Sequence, residues 1–188
     1  MSTTARRLLV AVIGDSNLGQ NDPKIELARD VGRLLVDSGC RVVTGGLGGV
    51  MAAAMDGART SARYADGDTI AILPGHDPNE ASSSADIVLA TGMNLARNLI
   101  VANSDGVIAI GGGAGTLSEI ALAWQMRRPV VALVVDGWSK KLGASRIDGR
   151  VRQADVKDDQ VHAVLSPADA VRLIVDLIPR YAKRMRVV

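Results

Sequence analysis

The sequence predicts an α/β fold: a Rossmann-like, doubly wound, mostly parallel sheet of about six or seven strands with helices on both faces. Three observations carry this. Short β-branched runs recur along the 188 residues. Amphipathic stretches with helix start and stop signals lie between them. Two strand-to-helix junctions are glycine loops.

The runs are Leu8–Ile13, Arg41–Thr44, Thr69–Leu73, Asp86–Ala90, Gly106–Ile110 and Val130–Val135, with a weaker seventh at Val161–Leu165. Most lack polar alternation, as strands buried on both faces do. The first helix opens at Asp22-Pro23, a cap followed by proline, carries the apolar stripe Leu27, Val31, Leu34 and Leu35, and stops at Gly39. Val50, Met51, Ala54, Met55 and Ala58 mark a second, whose small residues suit close approach to a sheet. Asn94–Ala102 and Thr116–Met126 read as two more. Ser166-Pro167 opens the last, with Val171, Ile174, Val175 and Ile178 on one face and Pro179 as its stop. No linker breaks the pattern, so residues 1–188 read as a single domain. The polar stretch Asp136–Gln160 reads as a long surface loop, and the basic end (Arg180, Lys183, Arg184, Arg186) as solvated.

Composition excludes several function classes. A formal net charge of +2 supplies no strong field for nucleic acid or an anionic membrane. Phe is absent and aromatics make up 2%, which argues against a stacking platform for single strands. The longest apolar runs, LLVAVI and VVALVV, fall far short of the roughly 20 residues that span a bilayer. Arg6 and Arg7 before LLVAVI faintly resemble a signal peptide, but GDSN follows directly, with no cleavage site. One cysteine, Cys40, and two histidines, His76 and His162, allow no disulfide within the chain and no Cys- or His-rich metal site. These features indicate a cytoplasmic protein with no membrane partner and no nucleic-acid partner.

The excess of glycine, 20 residues, concentrates at candidate ligand loops. In RVVTGGLGGVM a strand runs into Gly45, Gly46, Gly48, Gly49 and Met51. In GVIAIGGGAGTLSE another runs into Gly111, Gly112, Gly113, Gly115 and Thr116. Glycine lets a ligand approach backbone amides, and the next helix offers unpaired N–H groups and partial positive charge, together an anion site. Neither loop ends in Gly-Lys-Ser/Thr, so neither is a P-loop. The first βα turn, Gly14, Asp15, Ser16 and Asn17, lacks the dinucleotide fingerprint yet lies at a strand's C-terminal end, where such sheets bind ligands; turn chemistry explains its residues equally well. Thr116 and Glu119 also fit a helix capping box, and Arg97 an ordinary helical arginine. His76, after Pro74-Gly75, reads as a loop histidine outside the site.

TGMNLARNLIVANSDGVIAIGGGAGTLSEIALAW resembles the LOG (lonely guy) family, formerly labelled possible lysine decarboxylases, within a nucleotide-binding superfamily that includes Smf/DprA-like proteins. The match rests on Gly112, Gly113, Gly115, Thr116 and Glu119 for the loop and Arg97 for the preceding arginine; VTGGLGGVM matches the other glycine loop. The resemblance covers roughly residues 7–135. It implies that Arg97 and Glu119 are the catalytic pair of a nucleoside 5′-monophosphate phosphoribohydrolase. Such an enzyme frees base and ribose 5-phosphate without an added cofactor, the carboxylate stabilising oxocarbenium character.

Three positions differ from the LOG hallmark: Gly111 stands for its proline, Asn98 for a lysine and Ser118 for the first of two glutamates. Arg97 also follows Met93 by four residues rather than three. These features resemble a second branch, which includes the molybdenum cofactor carrier proteins. Loss of the lysine removes a positive charge and favours binding over hydrolysis. The reading is therefore a binding or carrier protein for a phosphate-bearing small ligand, a nucleotide or a molybdenum cofactor-like pterin, with the phosphoribohydrolase as alternative. No lysine motif for pyridoxal phosphate supports a decarboxylase. The resemblance further implies a homodimer.

Overall fold

The predicted runs fold into seven parallel strands, in the order β4-β3-β2-β1-β5-β6-β7. They are β1 (Leu9–Gly14), β2 (Arg41–Thr44), β3 (Thr69–Leu73), β4 (Ile87–Ala90), β5 (Gly106–Ile110), β6 (Val130–Leu133) and β7 (Val161–Val164). Between them lie α1 (Pro23–Asp37), α2 (Val50–Arg59), α3 (Asn98–Ala102), α4 (Ala114–Gln125), α5 (Trp138–Leu142) and α6 (Pro167–Leu177). This computed structural model describes residues 6–181; Lys183, Arg184 and Arg186 of the expected basic end lie outside the described residues.

The chain winds outward from β1 to β4, then returns to β1's other side as β5. Side chains of α1, α2 and α6 form one core layer with Val10, Val12 and Ile108; those of α3 and α4 form the other with Ala11, Ile13 and Ala109. The central strands thus alternate their side chains between two apolar layers, which is why β1, β5 and β6 are apolar along their length. Among the described residues no helix is long and apolar enough to cross a membrane.

Local signals set the helix ends. Asp22 caps α1 by accepting from Lys24 N at 2.9 Å, and Ser166 caps α6 by accepting from Asp169 N at 3.1 Å. The buried face of α1 is Ala28, Val31, Gly32, Leu35 and Val36, shifted from the expected stripe; Leu27 and Leu34 are only partly covered. Gly32 sets the shift: a Cβ there would lie 1.8 Å from the Ala54 carbonyl oxygen, so α1 and α2 cross backbone to backbone. Asn94–Ala102 is not one helix. Asn94 has φ 49°, a tight 3-10 turn covers Asn94–Arg97, and only α3 is α-helical.

Arg6 and Arg7, the residues that faintly suggested a leader, are tied into the fold. Arg6 grips the Asp105 carboxylate with two bonds of 2.8 Å, and Arg7 pairs with the fully buried Asp68.

The 136–160 stretch is not a plain surface loop. It contains α5, and buries Arg152 and Asp159 as a bidentate ion pair. Arg152 also donates to the carbonyls of Trp124 and Arg128 at 3.1 Å, and its guanidinium lies 3.5 Å from the Trp124 ring centroid. The Tyr181 hydroxyl completes the cluster on Asp159 at 2.6 Å. This cluster pins the excursion against the end of α4.

One stretch of the chain leaves several apolar side chains uncovered. Ile87 and Leu89 on the edge strand β4, Met93 and Leu95 in the following turn, and Leu99 and Ile100 on α3 are all exposed. They all fall within residues 87–100 and make up most of the large exposed hydrophobic side chains among the described residues.

Candidate functional site: a crevice at the strand ends

Strand order reverses between β1 and β5, and a crevice of about 370 Å³ opens above their C-terminal ends. In doubly wound sheets this switch point is where ligands bind, because loops on the two sides diverge. The turn after β1 contributes Gly14, Asp15, Ser16 and Asn17. Leu47 and Met51 come from the β2–α2 side, Leu95, Arg97 and Asn98 from the turn into α3, and Gly113 to Thr116 and Glu119 from the start of α4.

Most residues singled out in the sequence therefore meet, although they come from four distant segments. Gly45, Gly46, Gly48, Gly49 and Gly112 do not line the cavity. Gly46 packs on Leu73 and Ala71, Gly48 faces the Ser16 carbonyl, and Gly49 begins α2, where Val50 N donates to the Asp15 carbonyl at 2.9 Å. Gly45 lies against the Arg97 guanidinium, and Gly112 is packed on Thr116. His76 lies outside the lining, exposed, with its ring packed on Gly92.

Helix α4 begins two residues before Thr116. Gly113 is its N-cap and makes no side-chain cap bond, so Thr116 sits at the third helical position and Glu119 one turn further on. The capping-box reading of this pair thus fails. Glu119 instead faces Arg97: Nη1 donates to Oε1 at 3.3 Å, with both side chains nearly buried. Gly113, Ala114 and Gly115 are exposed at the same helix start. An uncapped first turn presents free N–H groups and the positive end of the helix dipole to the cavity.

Burial pushes the Glu119 carboxyl up to about 7, partly opposed by the Arg97 charge. Burial likewise lowers the Arg97 pKa, with Glu119 opposing. Glu119 therefore exchanges its proton near neutrality, where it can give or take one, while Arg97 offers a cation beside it.

Asn98, absent from the expected contacts, lines the cavity. Its Nδ2 donates to Ser118 Oγ at 2.8 Å, and Ser118 Oγ donates to the Gly115 carbonyl at 2.7 Å. The two positions where this chain lacks the LOG lysine and first glutamate are thus hydrogen-bonded neighbours. One cation and one anion are lost together, so the local net charge is unchanged.

Asp15 reaches the crevice, but Oδ2 is already engaged, accepting from Gly112 N at 2.9 Å and Lys24 Nζ at 2.7 Å. Ser139, fully buried at the start of α5, accepts from Gly111 N at 2.8 Å. No sequence signal marked Ser139, because its segment read as a loop. Among the described residues no group of three or more His, Cys, Asp or Glu side chains is placed to hold a metal ion.

Comparison with known proteins adds four relationships. The SLOG cluster4 family model matches residues 7–171. An uncharacterized protein from Archaeoglobus fulgidus is 39% identical over 125 residues, covering 66% of this chain and 78% of its own. Among solved structures, the molybdenum cofactor binding protein from the phototrophic bacterium Rippkaea orientalis superposes with a TM-score of 0.75 at 34% identity, covering 93% of this chain and 99% of that one. The molybdenum cofactor carrier protein of Chlamydomonas reinhardtii superposes with a TM-score of 0.70 at 29% identity over the same shares.

Proposed function

Since the chain belongs to the SLOG cluster4 family, we propose that it is a carrier that binds a phosphorylated pterin of the molybdenum-cofactor kind, or a nucleotide, and releases it unchanged. The observation that carries this reading is the uncapped start of α4, where Gly113, Ala114 and Gly115 are exposed to the crevice. Such a helix start suits a phosphate group. The carboxamides of Asn17 and Asn98 can pair with the edge of a heterocycle, and Leu47, Met51 and Leu95 supply aliphatic surface. No aromatic ring lines the cavity among the described residues, so polar edges and aliphatic contact do the work of stacking. The likeness to molybdenum cofactor binding and carrier proteins supports the pterin.

Native mass spectrometry of the purified protein tests this directly. A retained ligand with the mass of a phosphorylated pterin or a nucleotide, bound intact, is the expected result. A chain that retains nothing and binds neither class in titration is not a carrier of this kind.

A second reading is favoured by one observation, the Arg97–Glu119 pair with its near-neutral carboxyl. It is hydrolysis of a nucleoside 5′-monophosphate to base and ribose 5-phosphate. A panel of monophosphates incubated with the protein decides it: release of free base that Glu119→Ala abolishes supports the hydrolase, and no release across the panel removes it.

We further propose a homodimer, supported by the exposed apolar side chains between Ile87 and Ile100. Light scattering should give twice the chain mass, and Leu99→Glu with Ile100→Glu should give the monomer. The buried free thiol of Cys40 is in keeping with a reducing cytoplasm.

A further inference from the structure

We propose that Asp15 and Ser139 are positioning residues that lock the second glycine loop into its anion-binding shape, and that Asp15 is not itself a ligand contact. The inference rests on the phosphate-binding reading and specifies which groups make that site.

Gly111 and Gly112 have φ of 66° and 95°, a left-handed pair that only glycine adopts without strain. Their four backbone polar groups are all used inside the fold. Gly111 N donates to Ser139 Oγ at 2.8 Å, and Gly112 N to Asp15 Oδ2 at 2.9 Å. The Gly111 carbonyl accepts from Ser139 N and the Gly112 carbonyl from Trp138 N, both at 3.0 Å. Nothing of these two residues is left for a ligand. Recognition starts at Gly113, where the backbone is exposed.

The space beside Gly111 is filled as well. A Cβ there would stand 2.5 Å from Asp15 Oδ2, 3.0 Å from Lys24 Cδ and 3.0 Å from the Asp136 carbonyl. A proline would lose the bond to Ser139, require negative φ and meet Asp15. The LOG proline is therefore incompatible with this brace, and Gly111, Asp15 and Ser139 form one interdependent set.

Ser139 is fixed in turn by donating to the Leu133 carbonyl at 2.6 Å. Lys24 meets the Asp15 carboxylate at 2.7 Å. That pairing neutralises a negative charge which would otherwise repel an anion at the same helix start.

The test titrates inorganic phosphate into the wild type, Asp15→Ala, Asp15→Asn and Ser139→Ala by calorimetry. Amide exchange at Gly111 to Gly115 is followed by NMR, and thermal melting checks folding. Asp15→Ala is expected to weaken phosphate binding about tenfold, the size of one lost charge-assisted hydrogen bond, although it deletes a negative charge. Asp15→Asn keeps an acceptor for Gly112 N and should bind at least as well as the wild type. Ser139→Ala should speed exchange at Gly111 and weaken binding. Phosphate binding by Asp15→Ala equal to or tighter than wild type overturns the proposal, since that is what a carboxylate that merely repels anions would give. If the wild type itself does not bind phosphate, the carrier reading loses its phosphate site. The brace is then judged on Gly112, whose amide must exchange faster in Asp15→Ala than in the wild type.

Discussion

Gly45 lies directly against the guanidinium of Arg97: a Cβ on Gly45 would stand 2.3 Å from Nη1 and 2.7 Å from Cζ. The first glycine loop thus serves the site by leaving room for the cation that faces Glu119. Because the obstructing atoms are the far end of a flexible side chain, Gly45→Ala should cost little stability, under about 1 kcal/mol. It should nevertheless displace Arg97 and break its pair with Glu119. The expected outcome is a melting temperature close to wild type with weaker ligand binding, measured by scanning calorimetry and titration on the same samples.

Gly113 offers the complementary case. No atom lies within 4 Å of a Cβ added there, and its φ of −98° suits any residue. Gly113→Val should fold as the wild type does. Its isopropyl group would cover the first amides of α4, so phosphate affinity should fall. Unchanged affinity would remove this helix start from the site.

The raised Glu119 carboxyl makes stability depend on pH with a definite sign. In the unfolded chain it loses its proton near 4.5, in the folded protein near 7. Between those values the folded state holds a proton that unfolding releases, so raising the pH favours unfolding. The contribution is fully present below about pH 4.5 and is lost as pH rises through about 7. Glu119→Gln carries no such proton. Its melting temperature relative to wild type should therefore climb between pH 5 and 8, and a flat difference would contradict the shift.

Arg152 and Asp159 are each buried, so removing one charge strands the other. Arg152→Met should destabilise by about 3–5 kcal/mol, roughly 10 °C in melting temperature. The pair lies outside the crevice lining. Phosphate binding below the new melting point should stay at wild-type strength.

The parts legible in the sequence were those with local causes. Short, mostly apolar runs marked the strands, the seventh (Val161–Val164, with His162) more weakly than the rest, and Asp22-Pro23 and Ser166-Pro167 marked their helix starts, because a cap and a proline act within one turn. Arg97 and Glu119 came from family resemblance, and their partnership became visible only when α3 and α4 packed together. The capping box at Thr116 failed because Gly113 starts the helix earlier, a choice made by the left-handed glycines before it. The buried face of α1 departs from the apparent stripe at Gly32, whose burial reflects a neighbouring helix rather than its own hydrophobicity. Ser139 and Arg152 were not legible at all: a serine or arginine in a polar stretch has no local mark of burial, and each is fixed by groups far away in the chain.

The brace on Gly111 and Gly112 gathers its parts from the ends of β1, β5 and β6. During synthesis both glycine loops leave the ribosome before Ser139 does. A nascent chain that stops within β6 therefore carries the conspicuous motifs but lacks the bond that shapes the second of them. Under the carrier reading proposed above, ligand capture would have to follow the emergence of Ser139 and its bonding to the second loop. Bound phosphate would stabilise that completed arrangement selectively, since it has nothing equivalent to hold in the partial one.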